Sequence, residues 1–122
     1  MHSLQDMRVL VVENDELNAT LLQLQLESEG LKVVGIAGTV ASALSMVEAL
    51  NPQLVFLDYW LAANENSSPV ATVLTELGIP YLVVTGMEPS QLPGVFKAGV
   101  MLAKPYTGRD LAKALSRAVA LA

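Results

Sequence analysis

Apolar runs alternate along this chain with stretches in which leucine, valine and alanine recur at helical spacing. Arg8–Val12 reads as a first strand, because residues 9–12 are uninterruptedly apolar. Residues 16–29 read as a helix, with leucine at 17, 21, 22, 24 and 26 and Gly30 at its C-terminal end. A second strand is expected over 31–37. A helix capped by Thr39 then runs to about Leu50, where Asn51-Pro52 stops it. The third strand covers 53–57, and a polar loop occupies 64–68. Ser68-Pro69 is expected to open the next helix, with Ser68 as cap and Pro69 at the first helical position, ending near Gly78. Pro80 introduces a fourth strand over 81–84. Pro89, Pro93 and three glycines leave room for only a short or irregular helix in 86–99. A short fifth strand covers 100–102. Thr107-Gly108-Arg109-Asp110 resembles a capping box, opening a last helix with Leu111, Leu115 and Val119 on one face.

Five strands alternating with helices imply an α/β fold with a parallel sheet built from right-handed crossovers. The central strands are apolar throughout, as required where helices cover both faces of the sheet. Neither a repeat nor an interdomain linker interrupts the pattern. A single domain is expected over 1–122, with its core at about 7–121.

Composition narrows the chemistry. In 122 residues, 52% are hydrophobic and 16% charged, enough apolar surface to offset the entropy of folding. The net charge is -5 and no basic stripe is visible, which disfavours nucleic acid as a partner. There is no cysteine, so disulfides, thiolate catalysis and cysteine zinc sites are excluded. The one histidine, His2, lies near the N-terminus and reads as a solvated tail residue. No stretch is apolar enough to span a bilayer and the start does not resemble a signal peptide, so a cytoplasmic protein is expected. Asn66-Ser67-Ser68 matches a glycosylation sequon, which carries little weight without a secretory signal.

The polar residues fall where such a sheet binds ligands, outside the carboxyl ends of its strands. Glu13, Asn14 and Asp15 follow the first strand, Asp58 the third, Thr85 the fourth and Lys104 the fifth. Each alone has a dull explanation: Asp15 a helix cap, Thr85 a turn residue, Lys104 a solvated lysine. Together they suit phosphoryl chemistry. A carboxylate can become an aspartyl phosphate, hard oxygens favour Mg²⁺, and an ammonium and a hydroxyl stabilise phosphoryl oxygens. Gly35-Ile36-Ala37-Gly38 lacks the spacing of a nucleotide-binding loop, so the phosphate must come from another donor.

Over nearly its whole length the chain resembles a two-component response-regulator receiver domain. The resemblance rests on Val9-Leu10-Val11-Val12-Glu13-Asn14-Asp15-Glu16, Val55-Phe56-Leu57-Asp58, Val83-Val84-Thr85-Gly86 and Lys104-Pro105-Tyr106. It implies a flavodoxin-like (CheY-like) sheet of order 2-1-3-4-5. It also implies Asp58 as phosphoacceptor and a Mg²⁺ site formed by Glu13, Asn14, Asp58 and the backbone carbonyl of Trp60. Thr85, Gly86 and Lys104 would meet the phosphoryl group, and Lys104-Pro105 would be a cis peptide bond. The run from Pro80 to Met87 further resembles a subgroup whose fourth strand ends in Pro-Phe-x-Phe-Ala-Thr-Gly-Tyr. Its members are often single-domain and paired with HWE/HisKA2-type histidine kinases. By that resemblance the partners are a histidine kinase or histidine phosphotransfer protein and a downstream protein target, with no effector domain on this chain. The chain would be a signalling phosphoacceptor rather than an enzyme, beyond self-catalysed phosphotransfer and slow autodephosphorylation.

Three positions depart from the pattern. Asn14 replaces the second acid, which should weaken Mg²⁺ binding. Met101 stands where many receivers place an aromatic switch residue, and Tyr106 is a candidate substitute on the same face, or else ordinary packing. Trp60 and Met87 are bulky and apolar at positions flanking the route of attacking water, which should slow loss of the phosphoryl group. Two other classes stay open: a receiver-fold interaction module that no longer uses phosphate, suggested by Asn14 and Met101, and an unrelated flavodoxin-like enzyme or cofactor binder.

Overall fold

The apolar runs form the sheet, and their period of two divides its core into two halves. The computed structural model describes residues 4–120; residues 1–3, His2 among them, and residues 121–122 lie outside the described part. Strands β1 (Arg8–Val12), β2 (Lys32–Ala37), β3 (Leu54–Asp58), β4 (Tyr81–Thr85) and β5 (Val100–Ala103) pair in parallel in the order β2-β1-β3-β4-β5. The helices are α1 (Glu16–Ser28), α2 (Val40–Leu50), α3 (Ser68–Leu77) and α4 (Gly108–Ala120). Val9, Val11, Phe56, Leu82 and Val84 point to one face and pack with Leu22 and Leu26 of α1 and Leu111 and Leu115 of α4. Leu10, Val12, Val55, Leu57 and Val83 point to the other, under Ala43 and Val47 of α2 and Val70 and Leu74 of α3.

Register aligns the strand ends. Val12 pairs with Leu57, Asp58 with Val84, and Thr85 with Ala103, so the residues closing β1, β3, β4 and β5 share one edge. β3 and β4 each run one residue further than their apolar runs and take in Asp58 and Thr85, both buried.

Turn chemistry sets most helix ends. Gly30, at φ +93°, closes α1: its N–H donates to the Glu27 carbonyl and the Leu31 N–H to that of Leu26. Gly78 closes α3 in the same way, with the Ile79 N–H donating to Leu74. Thr39 and Ser42 form a capping box on α2, and Thr107 and Asp110 form another on α4. The start of α3 differs from expectation by one residue. Ser68 is the first helical residue and Ser67 stands at the cap position without a side-chain cap bond. The Ser68 N–H is taken by the Asn66 side-chain oxygen at 3.0 Å, a local turn that does the work expected of a serine cap. On α1 only Leu22 and Leu26 of the five leucines are buried; Leu17, Leu21 and Leu24 face outward.

Two short 3-10 segments, Pro89–Gln91 and Gly94–Ala98, stand between β4 and β5 in place of a regular helix. Prolines 89 and 93 lack the N–H that helical turns require. The second segment is anchored from inside the core. Phe96 is buried against Tyr59, and the Tyr81 hydroxyl donates to the Val95 carbonyl at 3.0 Å. A Cβ at Gly99 would lie 2.4 Å from the Tyr81 ring, so only glycine lets the chain pass there.

Candidate functional site

β3 carries Asp58 out of the hydrophobic core to the sheet edge, where it remains 6% exposed. The Lys104 ammonium, reaching back from the end of β5, donates to both Asp58 carboxylate oxygens at 3.2 and 3.3 Å. Lys104 is itself fixed to the next strand, its N–H donating to the Thr85 carbonyl at 2.9 Å. Tyr59, next to Asp58, donates its N–H to the Val84 carbonyl at 3.0 Å. Main-chain bonds thus lock the three loops into one frame.

Glu13 faces Asp58 from the end of β1. Its pKa is pushed up to about 7, first by burial, then by sharing a hydrogen bond with Asp58 and by that carboxylate's charge; the Asp15 N–H and the Lys104 charge oppose the shift. Two carboxyls therefore crowd one ammonium. Asp15, as its position suggested, is engaged elsewhere: its side chain accepts the Asn18 N–H at 3.0 Å and caps α1. Asn14 is exposed beside the cluster. Among the described residues no group of three or more His, Cys, Asp or Glu side chains is assembled that could hold a metal ion.

The donor set fits a hard divalent cation. Glu13 and Asp58 offer hard carboxylate oxygens side by side, and the charge of Asp58 adds to burial in raising the Glu13 pKa.

Thr85 is 3% exposed, and its hydroxyl oxygen accepts the Met87 N–H at 3.0 Å. The hydroxyl hydrogen stays available to donate. Gly86 is exposed next to it, with no atom within 4 Å of where a Cβ would stand. The Lys104–Pro105 bond is cis. Trp60 is 52% exposed and lies edge-on to Tyr59, with ring centroids 4.9 Å apart, and pairs across a small loop with Asn66.

Met101 and Tyr106 do not share a face. Met101 packs with the α2–α3 half of the core, whereas Tyr106 packs with the α1–α4 half, its ring 6.4 Å from that of Phe56. Tyr106 therefore cannot replace an aromatic at position 101. It instead lines a cavity of about 570 Å³ shared with Glu13, Leu21, Gln25 and Lys104. Its pKa is raised by burial and by the charges of Glu13 and Asp58.

The Trp60–Tyr59–Phe96 aromatic contact was not legible beforehand. It joins the loop after Asp58 to the irregular 94–98 segment. The adjacent pair Tyr59-Trp60 was its only signal.

The pattern of the response regulator receiver domain matches residues 9–116. The transcriptional regulatory protein PdtaR of Mycobacterium tuberculosis is 30% identical over 115 residues, covering 92% of this chain and 56% of that protein. Among solved structures, the response regulator PhyR from Brucella abortus superposes with a TM-score of 0.81 at 27% identity, over 93% of this chain and 48% of that one. SdrG from Sphingomonas melonis Fr1 superposes with a TM-score of 0.77 at 34% identity, over 93% and 96% respectively. The chain thus spans about half the length of PdtaR and PhyR and nearly all of SdrG.

Proposed function

The chain belongs to the response regulator receiver domain family, the signalling modules of two-component systems, and from that premise we propose that it is a phosphoacceptor switched by phosphorylation of Asp58. One observation carries this reading: Lys104 bridges both oxygens of a buried Asp58 at a strand end, with Glu13 beside it.

An Asp58 oxygen attacks the phosphorus of the donor, the bond from phosphorus to the donor's leaving nitrogen breaks, and an acyl phosphate forms. Phosphorylation adds about -1.5 to -2 charges and three acceptor oxygens at Asp58. Lys104 then exchanges its carboxylate contact for phosphoryl oxygens, and the Thr85 hydroxyl donates to another. Glu13, Asn14, Asp58 and the Trp60 carbonyl would hold Mg²⁺, which when bound would supply positive charge against the transferring group. Because the Lys104 N–H is bonded to the Thr85 carbonyl, the two move together. Their displacement reaches the 86–99 segment and β5 and changes the surface offered to a downstream protein.

The phosphodonor is a histidine kinase, with the Pro80–Met87 pattern favouring the HWE/HisKA2 type, or a histidine phosphotransfer protein, and the setting is cytoplasmic. No helix among the described residues is long and apolar enough to cross a membrane. Asn14, which leaves two acids where the family uses three, supports a second reading as a phosphate-independent interaction module.

Trp60 is the only tryptophan and lies two residues from Asp58, so its fluorescence separates the readings. Adding Mg²⁺ with beryllofluoride, a phosphoryl mimic, should change the signal saturably, and Asp58→Asn should abolish the change. An unchanged signal favours the phosphate-independent module.

A further inference from the structure

Main-chain bonds hold Tyr59 on both sides. Its N–H donates to the Val84 carbonyl at 3.0 Å, and its carbonyl accepts the Ser67 N–H at 2.9 Å. The residue that follows Asp58 is thus fixed to β4 and to the start of α3. Its ring is buried between two others, edge-on to Trp60 with centroids 4.9 Å apart and tilted against Phe96 at 5.4 Å. Phe96 is the buried residue of the Gly94–Ala98 segment and packs in the α2–α3 half of the core with Val70 and Leu74.

Two routes lead from Asp58 toward that segment. The first follows the chain after Thr85, whose hydroxyl accepts the Met87 N–H at 3.0 Å. Beyond Met87, residues 88–91 are all exposed. Exposed chain absorbs a displacement without disturbing a packed neighbour, so movement of Gly86 and Met87 dissipates there. Met101 transmits little, because a long thioether side chain adapts to a shifted neighbour by changing rotamer. The second route crosses the core from ring to ring. Close-packed groups with no free volume between them pass a displacement on. The segment is held at its centre by Phe96 and by the Tyr81 hydroxyl, which donates to the Val95 carbonyl at 3.0 Å, so a shift of Phe96 moves the turn around it.

Resting on Asp58 as the phosphoacceptor, we propose that Tyr59 and Phe96 transmit the state of Asp58 to Gly94–Ala98. They are positioning residues, and their ring contact stands in for the aromatic that position 101 lacks. When Lys104 leaves the Asp58 carboxylate for phosphoryl oxygens, the end of β3 adjusts, and Tyr59 carries the adjustment to Phe96. The coupling is reciprocal: a protein that grips the displaced segment favours the phosphorylated form by the same factor.

The test reads amide hydrogen exchange of residues 95–99 with and without Mg²⁺ and beryllofluoride. In the parent, exchange there should change by roughly threefold or more. Tyr59→Phe keeps the ring and should respond as the parent does. Tyr59→Leu and Phe96→Leu should each lose the response while still gaining one phosphoryl mass from acetyl phosphate, with urea unfolding run in parallel to verify that both are folded. A response that persists in both leucine variants overturns the proposal, as does one lost equally in Tyr59→Phe. A parent that gains no phosphoryl mass removes Asp58 as phosphoacceptor and leaves the ring contact to a second comparison. Asp58→Asn removes the carboxylate that Lys104 bridges, with no phosphate involved. It should shift the 95–99 amide resonances in the parent background and leave them in place in Phe96→Leu. Equal shifts in both backgrounds overturn the role given to the two rings.

Discussion

Replacing Glu13 with glutamine should stabilise the metal-free protein at neutral and higher pH and leave its stability unchanged in acid. The structure gives the sign. Glu13 ionises near its ordinary value of 4.5 in the unfolded chain but only at about 7 when folded against Asp58. Between those two values the native state binds the extra proton. Stability of the parent therefore falls as pH rises through this window and levels off above it. Each unit of displacement corresponds to about 1.4 kcal/mol, but Glu13 is only part-buried, so solvent screening reduces the whole effect to roughly 1–2 kcal/mol. Glutamine keeps an oxygen for the Asp15 N–H, which Glu13 now accepts at 3.1 Å, and removes the charge. The assay is urea unfolding in EDTA from about pH 4 to about pH 8, comparing the two proteins at each pH so that other titrations cancel. A difference that grows with pH, in favour of the variant, is expected. Saturating Mg²⁺ at the upper pH should reverse the order, because a ligand at about a hundred times its Kd adds about 2.7 kcal/mol to a protein able to bind it. A difference that stays flat with pH, or one that grows in favour of the parent, would refute the crowding of the two carboxyls.

Four further outcomes test other parts of the site and core. Asn14→Asp restores a third acid and should tighten Mg²⁺ binding several-fold in a calorimetric titration; unchanged or weaker binding would show that the position does not face the metal. Trp60→Asn should speed loss of the phosphoryl group by roughly threefold to tenfold, followed by intact mass over time, since a polar side chain there can orient water. Gly99→Ala should cost about 1–3 kcal/mol in urea unfolding, because the new methyl meets the Tyr81 ring at 2.4 Å. Gly108→Ala, at the open start of α4, should instead add about 0.4–1 kcal/mol.

Much of the fold was written in local pattern. Four apolar residues ending in Glu13, and four more ending in Asp58, describe buried parallel strands that surface at their carboxyl ends, and those are β1 and β3. Gly30, Gly78 and the Thr107–Asp110 box marked helix ends because their chemistry is local. Asn66 outbid Ser68 at the start of α3, a contest between neighbouring side chains that composition cannot decide. Periodicity shows that α1 is apolar without showing which leucines meet the sheet, and of the five only Leu22 and Leu26 are buried. The placing of Tyr106 depended on how the chain turns after Lys104, and the contact of Phe96 with Tyr59 on a segment without regular structure. Both are long-range facts. The pairing of Glu13, Asp58 and Lys104 was legible only because a parallel sheet gathers its strand ends at one edge.

The central claim is that Asp58 carries the phosphoryl group, and intact-mass spectrometry of the protein with acetyl phosphate and Mg²⁺ tests it most directly. One phosphoryl group should add, labile to hydroxylamine and mapped to the peptide containing Asp58. EDTA and Asp58→Asn should each prevent it. No gain in mass, or a gain that persists in Asp58→Asn, would contradict the account.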